Sequence, residues 1–103
     1  MKRIRISESA ERDLDEIWYF VATQSSSTVP ADRLIDSITE TFALLARAPE
    51  AGTRRDEIDP GVRGFPVGNY IVYYRDSGRS VDISRVLHGM RDQRLAWRDS
   101  ESS

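Results

Sequence analysis

The spacing of apolar residues changes once along this chain, and that change constrains the fold more than any other feature. From Ala10 to Leu45, apolar residues recur every three or four positions, which is the spacing of helices with one buried face. From Val62 to His88 they alternate with polar residues or form short runs bounded by turn residues, which is typical of strands. The sequence therefore predicts an α+β domain in which helices come first and a sheet follows.

Two amphipathic helices are predicted in the first half of the chain. The first runs from about Glu8 to Ala22, with Ser7 as its N-cap. Its apolar stripe consists of Ala10, Leu14, Ile17, Trp18 and Val21. The second begins near Pro30, a residue suited to a first helical turn, and ends before Pro49. The short connection between them predicts an antiparallel helical hairpin.

Strands are predicted on both sides of this hairpin. A short strand at residues 2–7 precedes the hairpin. Three strands joined by tight turns follow it as an antiparallel meander, over residues 62–67, 70–75 and 81–88. The predicted architecture is an N-terminal strand, an antiparallel helical hairpin and a three-stranded antiparallel meander. We expect one domain over residues 1–98 and a disordered tail over residues 99–103.

Composition excludes several function classes. The 103 residues include no cysteine and one histidine, which excludes disulfides, thiolate metal sites and histidine-rich metal sites. The net charge of −2 argues against a protein that holds nucleic acid mainly through phosphates, so no direct sequence-specific nucleic-acid binding is expected. No apolar run approaches the length of a membrane span. We expect no cofactor, no metal, no membrane association and a cytoplasmic location.

Arginine dominates the basic residues, since Lys2 is the only lysine among 15. Arginine makes planar, bidentate contacts with carboxylates and stacks on aromatic rings, which suits an acidic protein partner at least as well as RNA. A genome of high GC content would produce the same bias, so both explanations stay open.

The strand over residues 70–75 is apolar on both faces. Tyr70, Val72 and Tyr74 point one way, and Ile71 and Tyr73 point the other way. Because two helices cover only one face, we expect the other face to expose aromatic surface and to bind a partner. In the alternative, the C-terminal tail with Leu95 and Trp97 folds back over that face.

One set of residues suggests chemistry: Arg63, Arg85 and His88. Two arginines and a histidine can hold a phosphate and move a proton, as cleavage of RNA through its 2′-hydroxyl requires. The alternative is that the arginines pair with acids or reach solvent. Arg85 also breaks the alternation of its strand, because it shares parity with Val81 and Ile83. Either a bulge shifts the register there, or Arg85 leaves the core face at the edge of the strand.

Five motifs, taken together in this order, make the chain resemble the ParE-like toxins of bacterial type II toxin–antitoxin modules, within the RelE/ParE superfamily. They cover nearly the whole chain and are Ser9-Ala10-x-x-Asp13-Leu14-x-x-Ile17-x-x-Phe20, Pro49-x-x-Gly52, Arg63-Gly64-Phe65-x-Val67-Gly68-x-Tyr70, Val72-x-Tyr74-Arg75 and Ile83-x-Arg85-Val86-Leu87-His88-Gly89-x-Arg91-Asp92. The resemblance implies the same order of strand, hairpin and meander.

The resemblance also implies a partner and a target. The partner is a small ParD-like antitoxin whose disordered C-terminal part folds onto the toxin in a hetero-oligomer. The target is DNA gyrase, inhibited by protein binding with growth arrest as the result. We expect the antitoxin on the sheet face, at Tyr70, Val72, Tyr73, Tyr74 and Arg75. We expect the target at Arg91, Arg94 and Trp97.

RelE-like relatives imply a different activity, ribosome-dependent cleavage of mRNA. Arg63, Arg85 and His88 would then be the catalytic residues. The net negative charge and the lack of a tyrosine shortly after the last strand favour a binding toxin over this endoribonuclease. An inactive relative that only binds an antitoxin is the third hypothesis.

Overall fold

The computed structural model describes residues 1–101, and the side chains of residues 1–98. The described residues form five strands and three α-helices, with a 3-10 turn at Pro49–Ala51. The elements in chain order are β1 (Arg3–Ile6), α1 (Glu8–Thr23), α2 (Val29–Arg47), β2 (Thr53–Arg54), β3 (Arg63–Val67), β4 (Tyr70–Asp76), β5 (Ser80–His88) and α3 (Gln93–Glu101). The predicted α+β order is therefore confirmed.

One five-stranded sheet holds all the strands, in the order β1-β5-β4-β3-β2. Strands β3, β4 and β5 form the predicted antiparallel meander, and β1 joins its edge by pairing parallel to β5. Parallel strands need a long connection, and the one from β1 to β5 contains the helical hairpin followed by β2, β3 and β4. The two-residue β2 was not predicted, because so short a segment carries no periodicity.

The local signals that start α1 and α2 act as expected. The Ser7 hydroxyl accepts a hydrogen bond from the Ala10 amide at 3.0 Å, which caps α1. Pro30 lies in the first turn of α2, where a missing N–H has no cost. The apolar stripes of both helices then pack on one face of the sheet; the buried core there comprises Ala10, Ile17, Ile38, Phe42, Leu45, Tyr70, Val72, Tyr74, Val81, Ile83 and Val86.

The other face of the sheet is not the open aromatic surface expected from the sequence, and that expectation is wrong. Tyr73 is 0% exposed and Leu87 is 1% exposed, because Ala96 and Trp97 of α3 cover them together with Val62. The Trp97 and Tyr73 rings meet edge to face with 5.8 Å between centroids. The alternative, in which the C-terminal segment folds back, is the arrangement found for Trp97, whereas Leu95 is 56% exposed and does not cover the face.

The C-terminal boundary is only partly described. Helix α3 extends to Glu101, whereas the predicted disordered tail began at residue 99; residues 102 and 103 lie outside the described residues. The division into a domain of residues 1–98 and a tail stays a prediction. Within residues 1–101, no helix combines the length and the apolar character needed to cross a bilayer.

Candidate functional site

A buried ion pair joins helix α1 to the last strand. The Arg85 guanidinium donates to both oxygens of the Asp13 carboxylate, at 2.7 and 2.9 Å. Its third nitrogen donates to the backbone carbonyl of Ala96 in α3, at 2.7 Å. Arg85 is 8% exposed and Asp13 is 5% exposed. This cluster, hereafter the Arg85 clamp (Asp13, Arg85 and the Ala96 carbonyl), therefore ties α1, β5 and α3 together.

The edge of β5 explains why the clamp forms. β1 pairs with β5 only as far as Ile83, so the next residues of β5 pair with β4 on one side and have no strand on the other side. Asp13 takes that place and accepts a hydrogen bond from the Val86 amide at 2.9 Å. The pairing with β4 shifts register between Tyr73 and Tyr74, as in a β-bulge. Both explanations for the broken alternation at Arg85 thus hold: the strand is irregular there, and Arg85 lies at its edge.

The three residues of the ribonuclease hypothesis do not converge in this structure. Arg63 pairs in register with Tyr74, on the helix side of the sheet, and donates to the Gly52 carbonyl at 2.8 Å. Arg85 pairs in register with Tyr73, on the opposite face, with β4 between the two arginines. The His88 imidazole accepts a hydrogen bond from the Met90 amide at 3.0 Å.

The five sheet residues predicted to bind the antitoxin are mostly interior. Val72, Tyr73 and Tyr74 are 0% exposed and Tyr70 is 9% exposed. The exposure on which that prediction rested is therefore wrong for these four residues, because helices cover both faces of β4. Arg75 remains partly exposed, forms an ion pair with Asp59 and lies over the Trp97 ring.

The tyrosine hydroxyls serve the fold. Tyr74 donates to the Pro49 carbonyl at 2.6 Å and accepts from the Gly52 amide at 2.8 Å. Tyr73 donates to the Gln93 side chain at 2.7 Å, at the start of α3. Burial raises the pKa of both tyrosines above the ordinary value, since it disfavours the charged phenolate.

The three residues predicted to bind the target differ in exposure. Arg91 and Arg94 are exposed, whereas Trp97 is only 6% exposed and anchors α3 to the sheet. Leu95, on the outer side of α3, is 56% exposed. Two arginines, Arg91 just before α3 and Arg94 in its first turn, are thus exposed near the exposed Leu95, and Trp97 holds α3 against the sheet.

Sequence reasoning missed a cavity beside Phe20. A cavity of about 310 Å³ lies between α1 and the ends of β4 and β5; its lining residues are Asp13, Glu16, Ile17, Phe20, Tyr70, Val86, His88 and Arg91. Phe20 is 59% exposed. The signal was present in the sequence, because Phe20 belongs to the first motif but lies outside the apolar stripe of its helix.

Metal-binding geometry is absent from the described part of the chain: no three His, Cys, Asp or Glu side chains there are grouped so as to hold an ion. The clusters that do exist are arginine–carboxylate pairs and aromatic contacts. These arrangements can hold elements together and present surfaces to another protein.

Comparison with known proteins places the chain in a family. Residues 4–93 match the family described as the ParE toxin of the type II toxin–antitoxin system parDE. Toxin ParE1 of Caulobacter vibrioides is 33% identical over 88 residues, covering 85% of this chain and 90% of the relative. Toxin ParE3 of the same organism is 32% identical over 89 residues, covering 86% and 88%.

Solved structures agree at the level of the fold. A chain of the chromosomal ParDE toxin–antitoxin system from P. aeruginosa superposes with a TM-score of 0.73 at 22% identity, covering 85% of this chain and 96% of that one. A chain of the RelBE2 toxin–antitoxin complex from Mycobacterium tuberculosis gives 0.58 at 26% identity, covering 84% and 96%. With the family match spanning most of its length, this chain belongs to the ParE family of toxins of type II toxin–antitoxin systems.

Proposed function

We propose that this chain is the toxin of a ParDE-type module, that a ParD-like antitoxin neutralises it in a hetero-oligomer, and that it acts in the cytoplasm by binding DNA gyrase. The antitoxin partner is supported by the two structural neighbours, which belong to a ParDE system and to a RelBE2 toxin–antitoxin complex. Gyrase is carried over from the ParE-like resemblance of the sequence.

The observation that carries a binding mechanism, rather than RNA cleavage, is the burial of Arg85. All three guanidinium nitrogens donate to Asp13 or to the Ala96 carbonyl. Pulling Arg85 out to hold a phosphate would break a buried ion pair, which costs about 3–5 kcal/mol. Arg63 instead donates to the Gly52 carbonyl, and the His88 imidazole accepts from the Met90 amide.

The outer surface of α3 is the proposed contact with gyrase. Arg94 and Leu95 of α3 are exposed there, Arg91 is exposed two residues before the helix, and the buried Trp97 and the Arg85 clamp fix the helix. Arginine is enriched at protein–protein interfaces relative to the rest of the protein surface. Trp97 therefore acts through the position of α3 and not by touching the target.

Gyrase supercoiling by the purified toxin tests this proposal. We expect inhibition with accumulation of cleaved DNA, and at least tenfold weaker inhibition by the Arg91→Glu, Arg94→Glu double variant. Arg33→Glu, Arg47→Glu is the matched control, since both residues are exposed on α2, and it should inhibit like the wild type. Gyrase that is untouched at micromolar toxin would refute the target.

Growth and translation assays separate the other two hypotheses. Induction without antitoxin should arrest growth and co-expression of the antitoxin should restore it, whereas normal growth would identify an inactive relative. Labelled message in a translation extract should stay intact. Cuts in the ribosomal A site that disappear in His88→Ala would replace the binding mechanism with an endoribonuclease.

A further inference from the structure

Gln93, the first residue of α3, makes three hydrogen bonds through its side-chain amide. The amide oxygen accepts from the Tyr73 hydroxyl at 2.7 Å. The amide nitrogen donates to the backbone carbonyl of His88 at 2.9 Å and to that of Arg91 at 2.8 Å. One side chain therefore connects β4, the end of β5 and the turn that leads into α3. We call Gln93 and these contacts the Gln93 pin.

The chemistry of the Gln93 pin requires a carboxamide. The carbonyls of His88 and Arg91 can only accept hydrogen bonds, so the NH₂ group has to face them. The amide oxygen then points to the Tyr73 hydroxyl, which donates to it. A carboxylate of the same shape would turn an acceptor toward two acceptors, and an alkyl side chain would lose every contact of the pin.

The pin holds the first turn of α3, and other contacts hold the next turn. Gln93, Ala96 and Trp97 follow i, i+3, i+4 spacing and therefore lie on one side of the helix. The Arg85 clamp fixes the Ala96 carbonyl, and Trp97 packs in the core cluster beneath the helix. Arg94 lies on a different side and is exposed. With attachments in both turns, α3 has a fixed direction on the sheet as well as a fixed location.

The two arginines of the proposed gyrase contact flank Gln93. The Arg91 carbonyl is itself part of the pin, and Arg94 directly follows Gln93, so the pin fixes the backbone from which both guanidinium groups extend. We infer that Gln93 is a positioning residue, which holds Arg91 and Arg94 in the relative arrangement that the target recognises. Charged groups give an interface its specificity through such an arrangement. This inference rests on the proposed function, because it takes these arginines as the target contact.

Two buried tyrosines allow positioning to be separated from stability. Tyr73 and Tyr74 are both 0% exposed, so neither side chain reaches a bound partner. The Tyr73 hydroxyl belongs to the pin, whereas the Tyr74 hydroxyl bonds to Pro49 and Gly52 on the face of the sheet that α1 and α2 cover. Tyr74→Phe is therefore the matched control for Tyr73→Phe, because it removes a buried hydroxyl and some stability but leaves the pin intact.

The assay is the concentration of purified toxin that halves gyrase supercoiling, at a temperature where circular dichroism shows every variant folded. We expect Gln93→Leu to raise this concentration about tenfold and Tyr73→Phe about threefold, while Tyr74→Phe stays within about twofold of the wild type. Tyr73→Phe should have no further effect in the Gln93→Leu background, because both changes break the same contact. A loss of stability alone would not produce this pattern in folded protein.

The outcomes separate this inference from the proposed function. If the wild type inhibits gyrase and Gln93→Leu and Tyr73→Phe inhibit equally well, the positioning role is overturned and the proposed function stands. An equal loss in Tyr74→Phe would also overturn that role, since stability would then explain the effect. A wild type that spares gyrase but arrests growth would overturn the proposed target; growth arrest by the same variants would then decide the role of Gln93, with weaker arrest supporting it and equal arrest overturning it. A wild type with neither effect would overturn both.

Discussion

Removing the Asp13 carboxylate should destabilise this protein far more than removing any surface charge. Asp13→Ala deletes two hydrogen bonds to Arg85 and one to the Val86 amide. The guanidinium, which belongs to a residue only 8% exposed, keeps its hydrogen bond to the Ala96 carbonyl but loses the negative charge of Asp13. Breaking a buried ion pair in this way costs about 3–5 kcal/mol.

That loss is large for a chain of this length. Domains of this kind are stable by about 5–15 kcal/mol, so the variant would lose a fifth or more of its stability. Because 1 kcal/mol shifts the melting temperature of a domain this small by about 4–8 °C, we expect a fall of about 12–40 °C. Urea unfolding followed by circular dichroism measures the free energy directly.

Two further variants make the test specific. Lys2→Ala removes the partly exposed pair with Asp76 and should cost less than about 1 kcal/mol. The double variant Asp13→Leu, Arg85→Met removes both charges and should be less destabilised than the sum of the two single changes to alanine. Increased amide exchange in residues 93–98 of Asp13→Ala would show that α3 loosens as well. A loss below 1 kcal/mol in Asp13→Ala would refute the reasoning.

Three other perturbations test the interior and its charges. Tyr74→Phe leaves the Gly52 amide and the Pro49 carbonyl without their side-chain partner, so the free energy of unfolding in urea should fall by about 1–3 kcal/mol. Gly52→Ala should also destabilise the protein, because the new Cβ would lie 2.6 Å from the Tyr74 hydroxyl. Burial raises the pKa of Tyr73 and Tyr74 above 10.0, so these tyrosines ionise at a lower pH in the unfolded chain than in the folded protein. The free energy of unfolding should therefore be steady below pH 10 and fall as the pH rises through the folded pKa values. The hydrogen bond from Lys2 lowers the pKa of Asp76 below 3.8 in the folded protein. The ionised Asp76 should therefore add a small stabilisation above pH 3.8, and that stabilisation should disappear as the pH falls through the folded pKa. Asp76→Asn should lack it at every pH.

The order of helices and strands followed from local patterns, because each pattern reports how one element meets the core. The Ser7 cap, the proline at the start of α2 and the apolar stripes fixed α1 and α2 within a few residues. Alternation and turn residues located the meander, and most of the motif residues of the resemblance lie in the hairpin or in the meander. The family could be identified from the sequence for the same reason.

The candidate site could not be located in this way, because its members meet through tertiary contacts. Asp13 is 72 residues from Arg85 along the chain, and nothing in the periodicity of α1 shows that an acid on its buried side faces the open edge of β5. Phe20 was visible as a motif residue, but its exposure depends on where the ends of β4 and β5 lie.

The sequence by itself determined β1, the helical hairpin, the meander, their order and the family, since spacing, caps and turns act over a few neighbouring residues. Only the tertiary structure decided which surfaces remain open. The sequence of β4 makes both faces of the sheet apolar, and the short helix α3 covers the second face by packing Trp97 against Tyr73. The Arg85 clamp holds α3 in that position. Burial and ion pairing depend on distant segments coming together, so a pattern read along the chain reports that a face is apolar but not what covers it.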